Sequence, residues 1–277
     1  MTNVDLHCHS NVSDGLLSPS EVVQRAAARG VDLLGLTDHD QLGGLDEASQ
    51  TAQQLGIEFV HGVEVSVSWR GTTVHLVGLR IDPGDATLAT GLAQVRSGRI
   101  RRAEAMGRSL AAAGIRDAFE GALRLADNAE MIGRAHFARH LVSIGAVSSV
   151  SQAFRRYLVP GKPGYVPHEW ATLREALGWI RAAAGQAVLA HPGRYGLSGG
   201  AMHDLLGEFC AAGGAALEVV TSSHSHDQFR LFDALARAFG LRASRGSDFH
   251  APDESADFGS LPEFTPRTAA IWDAWRP

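Results

Sequence analysis

Two histidines near the start of the chain, His7 and His9, are separated by one residue in the short segment VDLHCHS. Successive side chains of a strand point to opposite faces, so both imidazoles would lie on one face while Cys8 points into the core. Two imidazoles on one face can bind a single cation. The first chemistry that the sequence indicates is therefore metal binding, although two histidines at this spacing are a weak signal alone.

Further residues that can bind a metal lie at or near the ends of later strand-like segments. In chain order they are Asp14, in the loop after the first segment, His39, Glu64, His75, His191, Asp248 and His250. In parallel α/β folds the carboxyl ends of the strands meet at one rim, where ligands bind, so these scattered residues would converge there. A single histidine on an apolar strand is as often a packed core residue, and for His75 alone both interpretations stay open.

The nine candidates exceed what one ion needs, because zinc takes about four ligands and octahedral ions about six. The sequence thus predicts two or three divalent ions. Imidazole and carboxylate ligands without thiolate suit manganese, iron or zinc, and we expect Mn²⁺, with zinc or iron as alternatives. Asp38 and Asp40 flank His39 and are expected to orient ligands rather than to bind metal.

The segments between these residues alternate between strand-like and helical patterns. Strand-like runs lie at 4–7, 32–38, 58–67, 73–81, 187–192, 215–220 and 241–250. Helical patterns lie at 19–29, 44–56, 172–185, 199–213 and 225–240. Ser18, Pro19 and Glu21 form a capping-box pattern at the start of the first helix. Strands that alternate with helices predict βαβ units and a parallel sheet.

The middle of the chain interrupts this alternation. From about residue 88 to 165 it reads as helices with no convincing strand, ending in VPGKPGYVP, whose prolines and glycines stop a helix. We therefore predict an α/β domain formed by residues 1–87 and 166–277. A small helical domain, residues 88–165, would be inserted into it and would cap the substrate.

Composition and charge exclude several classes of protein. The 277 residues suffice for one large α/β domain with an insertion, and 45% hydrophobic content is ordinary for a globular protein. No apolar run reaches about 18 residues and the first residues lack a signal-peptide pattern, so we expect no membrane association and a cytoplasmic protein. Cys8 and Cys210 are too few for a disulfide framework. The net charge of −5 argues against binding of long DNA, and we expect a monomer.

The metal-capable residues, in this order, resemble those of the polymerase and histidinol phosphatase (PHP) family, over both parts of the predicted α/β domain. The resemblance implies a distorted seven-stranded (β/α) barrel of PHP type with a trinuclear metal centre. Carried over residue by residue, the three ligand sets are His7, His9, Glu64 and Asp248; Glu64, His75 and His191; and Asp14, His39 and His250. Glu64 would bridge the first two metals. Glu218, in the sixth strand, would lie just outside the ligand sets.

Four further segments narrow the resemblance to one subgroup. GRIRRAEAM, IGRAHFARHL, GKPGYVP and EVVTSSHSHDQF resemble the subgroup of nucleoside 3′,5′-bisphosphate phosphatases and RNase AM. It implies hydrolysis of the 3′-phosphate of substrates such as adenosine 3′,5′-bisphosphate, giving a nucleoside 5′-monophosphate and phosphate. The alternatives are a 5′-3′ exoribonuclease acting on short 5′-phosphorylated RNA and a phosphomonoesterase like histidinol phosphatase.

A bisphosphate needs a second anion site away from the metals. Arginines suit it because a planar guanidinium binds phosphate with two hydrogen bonds. The candidates are Arg99, Arg102, Arg134, His136 and Lys162, with Arg194 as a further one. Since 24 of the 25 basic residues are arginine, a solvated helix face is the simpler interpretation of composition alone. The resemblance favours Arg102 and Arg134.

Three of the metal-capable residues are also assigned a part in catalysis, namely Asp14, His191 and His250. The resemblance implies that metal-activated hydroxide attacks the phosphorus in line, without a phosphoenzyme. Asp14 and His250 would also contact the substrate. His191 and His250 could transfer a proton only where they are not fully engaged as ligands.

Two other functions would use similar residues. A metal amidohydrolase shares the barrel and the histidines but typically has a metal-bridging lysine, and the only lysine, Lys162, lies in the predicted insertion. A non-catalytic metal- or nucleotide-binding module would bind without turnover, against which the complete set of nine residues argues. His224 and His226 repeat the spacing of the first pair in a serine-rich loop, and we interpret them as polar loop residues.

Overall fold

The short apolar segments of the sequence form the strands of a mixed sheet. The computed structural model describes residues 2–254 and 256–275. In these residues the strands are β1 Val4–Asp5, β2 Leu33–Leu36, β3 Glu58–Trp69, β4 Thr72–Leu79, β5 Ala171–Thr172, β6 Gln186–Leu189, β7 Ala216–Thr221 and β8 Arg242–Gly246. Each predicted strand-like run overlaps one of them, and β5 is a short addition that pairs with β3.

Helices fill most of the connections between the strands. They are α1 Pro19–Ala28, α2 Leu45–Leu55, α3 Ala86–Ser97, α4 Arg99–Ala112, α5 Ala118–Leu123, α6 Arg134–Ser143, α7 Val150–Ala153, α8 Leu173–Ala182, α9 Gly199–Ala211 and α10 His226–Ala238. The capping box predicted for α1 is confirmed, because the Ser18 side chain accepts from the backbone amide of Glu21 and the Glu21 carboxylate accepts from that of Ser18. Within the described residues, no helix combines the length and apolar character needed to cross a bilayer.

One strand runs against the predicted parallel arrangement. The sheet order is β1-β2-β3-β4-β6-β7-β8, and β4 is antiparallel to both of its neighbours, β3 and β6. Only Arg70 and Gly71 separate β3 from β4, with φ of 45° and 78°. Two residues with positive φ form a tight hairpin turn, whereas a parallel crossover needs about a dozen residues. The prediction of a wholly parallel sheet is therefore wrong at β4.

Backbone hydrogen bonds join the first strand to the last. The amide of Leu6 donates to the oxygen of Arg245 (3.1 Å), and the amide of Asp248 donates to the oxygen of His7 (2.8 Å). These bonds bring the seven strands of the path into a nearly closed barrel, as the PHP resemblance implies. Gly246 permits the close approach, since a Cβ there would lie 2.2 Å from that of His7.

The largest hydrophobic core lies between the sheet and its helices. Strand residues Leu34, Leu76 and Leu189 pack there with Val22 of α1 and Leu206 of α9. Burial of such side chains contributes about 1.5–3 kcal/mol each and holds the strand ends in place. The site described below depends on this packing, because its residues lie within these strands or in the segments that follow them.

The middle of the chain is helical, as predicted. Helices α4 to α7 surround a second hydrophobic cluster that includes Met106, Leu110, Phe137 and Leu141. Helix α3 packs differently, since its Leu88 and Leu92 belong to the core of the barrel. The segment from α4 to α7 therefore has an interior of its own, whereas α3 packs as part of the barrel core.

Candidate metal centre

All nine predicted ligands meet at one rim of the barrel. Three groups of their ligand atoms lie within 4.8 Å of one another. The groups are His7, His9, Glu64 and Asp248; His9, Asp14, His39 and His250; and His39, Glu64 and His75. The ninth residue, His191, places its Nε2 3.0 Å from Glu64 Oε1. The first group is buried, whereas Asp14, His39 and His250 are partly accessible, so a ligand from solvent would approach from their side.

Glu64 occupies the middle of the cluster and is fully buried. Its Oε2 lies within 3.3 Å of a ring nitrogen of each of three histidines, His7, His9 and His39. Its Oε1 lies 2.8 Å from His75 Nδ1 and 3.0 Å from His191 Nε2. One carboxylate therefore faces two sets of imidazoles, an arrangement suited to bridging two cations.

Asp248 and Asp14 supply the other two carboxylates. Asp248 Oδ1 lies 3.4 Å from His7 Nε2 and 3.2 Å from His9 Nε2. Asp14 Oδ1 lies 3.3 Å from His250 Nε2, at the accessible edge. The two acids thus stand on opposite sides of His9, which belongs to two of the three groups.

Two of the nine residues do not lie at a strand's carboxyl end. Glu64 is in the middle of β3, which continues past the rim into the hairpin, and His75 is near the start of β4. Because β4 runs in the opposite direction, its beginning lies at the same rim as the ends of the parallel strands. The metal-capable residues therefore meet at one rim as predicted, but His75 is placed there by an antiparallel strand.

The donor atoms suit divalent cations. Within the described residues, several buried atoms of the cluster make no hydrogen bond, among them His7 Nε2, His9 Nδ1, Asp14 Oδ1 and Glu64 Oε2. A buried polar atom without a partner costs about 1–3 kcal/mol, so such atoms are rare unless a ligand satisfies them. Imidazole and carboxylate atoms grouped in this way suit divalent cations.

The charges in this cluster shift its pKa values strongly. Burial alone would raise the pKa of Glu64, but the surrounding His39, His75 and His7 hold it well below its usual range. Burial would lower the pKa of His9, yet the carboxylates of Asp248 and Glu64 raise it to about 10. The Glu64 carboxylate therefore stays ionised, and together with Asp248 it favours the protonated form of His9.

Three residues in or beside the cluster have a strained backbone. Asp40, His191 and Asp248 have φ values of 47°, 26° and 56°. Non-glycine residues in this region cost of order 1–3 kcal/mol and persist only where the surrounding structure holds them. Such strain is typical of functional sites.

Two aspartates that flank His39 fix the loops beside it. Asp38 accepts hydrogen bonds from the amide of Ser10 (2.8 Å) and the hydroxyl of Ser13 (2.5 Å), which lie between His9 and Asp14. Asp40 accepts from the amide and hydroxyl of Ser66, both at 2.8 Å. These contacts agree with the orienting part expected of both residues.

Two supporting residues, Tyr195 and His224, were not recognised as such from the sequence, whereas Glu218 was expected just outside the ligand sets. The Tyr195 hydroxyl donates to the oxygen of Ala190 (2.5 Å) and accepts from the amide of His75 (3.0 Å). His224 Nδ1 lies 3.0 Å from the oxygen of Val219, and its Nε2 accepts from the amide of Gly193. Glu218 contacts both His7 and His191. Only Glu218 gave a signal, as the one charged residue in the apolar run AALEVV.

A group of arginines lies beside the accessible edge. Burial, together with the nearby Arg134 and Arg99, lowers the pKa of Arg102 to about 9. Burial also lowers the pKa of Arg134, against the attraction of Tyr165 and Asp14. Among the described residues neither Arg102 nor Arg134 has a carboxylate partner in an ion pair; the Arg102 Nε donates to the oxygen of Val166 (3.1 Å). Two half-buried guanidinium groups without a carboxylate ion-pair partner among the described residues are suited to binding an anion.

The other predicted anion-binding residues are placed differently. Arg99 forms an ion pair with Asp40 and lies over the Trp170 ring, and Arg194 forms an ion pair with Asp248. Both guanidinium groups therefore have partners within the chain. Lys162 is exposed, and in the described structure no contact joins its ammonium group to the metal-capable residues or to the arginines.

His136 lies near the start of α6 and is buried. Its Nδ1 accepts from the amide of Gly133 (3.1 Å), which leaves the Nε2–H as a donor. Burial, with the nearby Arg139 and Arg99, lowers its pKa to about 4 although Asp14 opposes this. His136 is thus a neutral donor on the helix that also carries Arg134.

Comparison with known sequences finds similarity along nearly the whole chain. A profile of the PHP domain family matches residues 5–185. A 3′,5′-nucleoside bisphosphate phosphatase of Chromobacterium violaceum is 55% identical over 273 residues, 98% of this chain and 96% of the relative. A 5′-3′ exoribonuclease of Haemophilus influenzae is 42% identical over 269 residues, 97% of each chain.

Comparison with solved structures gives a consistent result. An amidohydrolase from Chromobacterium violaceum, with bound sulfate and no metal, superposes with a TM-score of 0.96 at 54% identity, covering 99% of this chain and 95% of that one. A presumptive metal-dependent phosphoesterase from Bifidobacterium adolescentis superposes with a TM-score of 0.83 at 26% identity, covering 97% and 93%. The barrel and the helical segment therefore occur together in these proteins.

Proposed function

The chain belongs to the PHP domain family, and from this premise we propose that it hydrolyses the 3′-phosphate of nucleoside 3′,5′-bisphosphates. The products would be a nucleoside 5′-monophosphate and phosphate. One observation carries the proposal: a buried cluster of imidazoles and carboxylates lies beside Arg102 and Arg134, which have no carboxylate partner in the described structure. A substrate with two phosphates matches a site with two separate places for anions.

The nine clustered residues would hold two or three divalent ions, for which we propose Mn²⁺. Bound there, such ions would withdraw charge from the phosphate oxygens and make a nearby water more acidic. The chain contributes the ligand positions, through Glu64 in the middle and Asp248 and Asp14 on either side. The three carboxylates only partly balance the charge of such ions, so the site would attract a phosphate dianion.

The second phosphate would bind at the start of α6. Arg134 lies in the first turn of that helix, His136 presents an Nε2–H donor two residues later, and Arg102 approaches from α4. Guanidinium groups bind phosphate oxygens in pairs, and a helix amino terminus also favours an anion. These residues would bind the 5′-phosphate and so hold the 3′-phosphate at the metal-capable cluster.

The proton for the leaving 3′-oxygen would come from residues at the accessible edge of the site. Asp14 and His250 are partly exposed there, with Asp14 Oδ1 3.3 Å from His250 Nε2. His191 is buried, and burial together with Arg194 lowers its pKa to about 4. It is neutral near pH 7 and has no proton to give from a cationic form, so we assign it to ligand binding alone.

A 5′-3′ exoribonuclease activity is the second candidate, because the Haemophilus influenzae relative carries that name. A 5′-phosphorylated RNA contains the same unit as the bisphosphate, a nucleoside with a 5′-phosphate and a 3′-phosphate group. The same two anion sites would bind its first nucleotide. The two activities would differ only in the space that the site leaves beyond the 3′-phosphate.

Two other chemistries fit the structure less well. A simple phosphomonoesterase acts on one phosphate group and would not need a second anion site at Arg102 and Arg134. The amidohydrolase named among the similar structures raises the question of a metal-bridging lysine. The only lysine of this chain, Lys162, is exposed on the helical segment and contacts none of the cluster in the described structure.

Hydrolysis of three substrates by the Mn²⁺-loaded protein tests the proposal. They are adenosine 3′,5′-bisphosphate, 5′-phosphorylated RNA of two to five nucleotides, and p-nitrophenyl phosphate. We expect the bisphosphate to be preferred, and Arg134→Ala to lower kcat/KM for it while leaving p-nitrophenyl phosphate nearly unchanged. Arg174→Ala, an exposed arginine on α8, is the matched control. Fast release of mononucleotides from RNA with a poor bisphosphate rate would instead assign an exoribonuclease.

A further inference from the structure

Glu218 is a charged residue in the middle of a buried strand. It lies in β7, all six residues of which are buried, and its own exposure is 1%. A carboxylate in such a position is unfavourable unless both of its oxygens have strong partners. Its contacts therefore indicate what it does.

Both oxygens of Glu218 contact predicted metal ligands. Oε1 lies 2.8 Å from His7 Nδ1, and Oε2 accepts from the backbone amide of His191 at 2.5 Å. Within the described residues, Glu218 belongs to none of the groups of atoms that could share a cation. Since donors occupy both oxygens, the residue acts on the cluster through other residues.

The first contact determines which nitrogen of His7 is free. A carboxylate at Nδ1 requires a proton on that nitrogen, so Nε2 keeps its lone pair. This Nε2 faces the cluster, 3.3 Å from Glu64 Oε2 and 3.4 Å from Asp248 Oδ1. Glu218 thus selects the tautomer of His7 that can bind a metal.

The second contact holds a strained backbone. His191 has φ of 26° and ψ of 57°, outside the comfortable regions for a residue with a side chain. The hydrogen bond from its amide to Glu218 anchors this turn directly after β6. In this conformation His191 Nε2 reaches to 3.0 Å from Glu64 Oε1.

We propose that Glu218 is a positioning residue of the metal centre, which fixes the tautomer of His7 and the backbone of His191 with one carboxylate. It thereby sets ligands that the family resemblance assigns to two different metals. The proposal rests on the metal binding in the proposed function, and it is independent of the substrate.

Glu218→Gln tests this with almost no change in shape. An amide offers one acceptor and one donor in place of two acceptors. When the NH₂ of the substituted side chain faces His7, the imidazole must accept a hydrogen bond at Nδ1. Its own proton then lies on Nε2, where it prevents metal binding. With its NH₂ toward His191, two donors face each other. Either arrangement weakens the metal centre, and we expect about 10–100-fold lower Mn²⁺ affinity.

The matched control is Asp233→Asn, the same change at another buried carboxylate. Asp233, on α10, accepts from the amide and hydroxyl of Thr268 and contacts none of the cluster. We expect this variant to lose stability but to keep its Mn²⁺ affinity. Metal content by mass spectrometry and titration with Mn²⁺ give the comparison without any assay of activity.

The ring ¹⁵N signals of His7 in the Zn²⁺-loaded protein give a second readout. The wild type should show a proton on Nδ1. Glu218→Gln should lose that signature where its NH₂ faces His7, and should keep it but shift the backbone amide signal of His191 where its NH₂ faces His191. Wild-type Mn²⁺ affinity together with an unchanged His7 tautomer in Glu218→Gln would overturn the proposal. If Glu218→Gln fails to fold, Glu218→Asp provides the test. The shorter aspartate keeps the charge but reaches one of the two partners at most, so an unchanged Mn²⁺ affinity in this variant would also overturn the proposal.

Failure of the proposed function would give a different result. If the wild-type protein binds Mn²⁺ but does not cleave the bisphosphate, the substrate assignment is wrong, while the positioning role of Glu218 at the metal centre is unaffected.

Discussion

The guanidinium of Arg139 joins the helical segment to a predicted metal ligand: its Nη1 donates to the backbone oxygen of Asp14 over 2.6 Å. The same side chain binds both carboxylate oxygens of Glu254 through Nε and Nη2, each at 2.8 Å. Arg139 lies on α6, the helix that begins with Arg134. One helix therefore connects the proposed 5′-phosphate site to the loop that carries Asp14.

Arg139→Ala should lower kcat/KM for the bisphosphate. The loss removes a charge-assisted bond to the Asp14 loop and leaves the buried Glu254 contact unsatisfied, at a cost of about 1–3 kcal/mol in the free energy of unfolding. We expect a fall of roughly tenfold in kcat/KM, seen in steady-state kinetics at saturating Mn²⁺. Arg237→Ala, a half-exposed arginine on α10, serves as the control, and equal kinetics for both variants would contradict the coupling.

His9→Ala should abolish hydrolysis and most metal binding. His9 is fully buried and belongs to two of the three groups of metal-capable atoms, so its loss removes a ligand from both. We expect a decrease of at least about 100-fold in activity, because removing a ligand goes beyond the 10–100-fold seen for outer contacts. His226→Ala, an exposed histidine with the same spacing pattern, should behave as wild type. Normal metal content in His9→Ala would be incompatible with the assignment.

Removal of the metals should destabilise the folded protein. Ions that bind only the folded state add about 2.7 kcal/mol at 100 times their Kd, which for a chain of this size raises Tm by roughly 5 °C. Differential scanning calorimetry with chelator and then with added Mn²⁺ measures this change. The rise should largely disappear in His9→Ala, and a Tm independent of metal in the wild type would argue against binding.

The buried His136 should make stability fall in acid. Its pKa in the folded protein is about 4, against 6.5 for an exposed histidine, so the unfolded chain binds the proton more readily. Stability from this residue is complete above pH 6.5 and is lost as pH falls toward 4. Between pH 7 and 5 the loss is about 2 kcal/mol, from roughly 1.4 kcal/mol per pH unit.

Urea unfolding at both pH values tests this expectation. His136→Gln should lose less stability between pH 7 and 5 than the wild type, by that same amount. His203→Gln, at an exposed position, should show the wild-type dependence. Identical pH dependence in all three proteins would show that His136 does not titrate as stated.

The clustering of the nine metal-capable residues could be predicted from the sequence, because they follow or lie within strands that meet at one rim. His7 and His9 follow β1 with one residue between them, and Asp248 and His250 repeat that spacing after β8, the strand that joins β1. The direction of β4 was available in principle, since Arg70 and Gly71 leave room only for a hairpin.

The supporting contacts could not be predicted, because they depend on register between distant segments. Glu218 and His7 are 211 residues apart in the sequence, and Arg99 and Asp40 are 59 apart. No local pattern reports which of 24 arginines finds a carboxylate in the fold. Lys162 is the opposite case. It lies in the segment GKPGYVP, which resembles the family, but in the described structure its side chain does not contact the cluster.

The hydrogen bonds between β1 and β8 have a consequence for biosynthesis. His7 and His9 leave the ribosome more than 200 residues before Asp248 and His250. A nascent chain can therefore bring together His39, Glu64 and His75, but not the buried group of His7, His9, Glu64 and Asp248. That group is complete only when nearly all of the chain has emerged, so a truncated translation product would lack Asp248 beside His7 and His9.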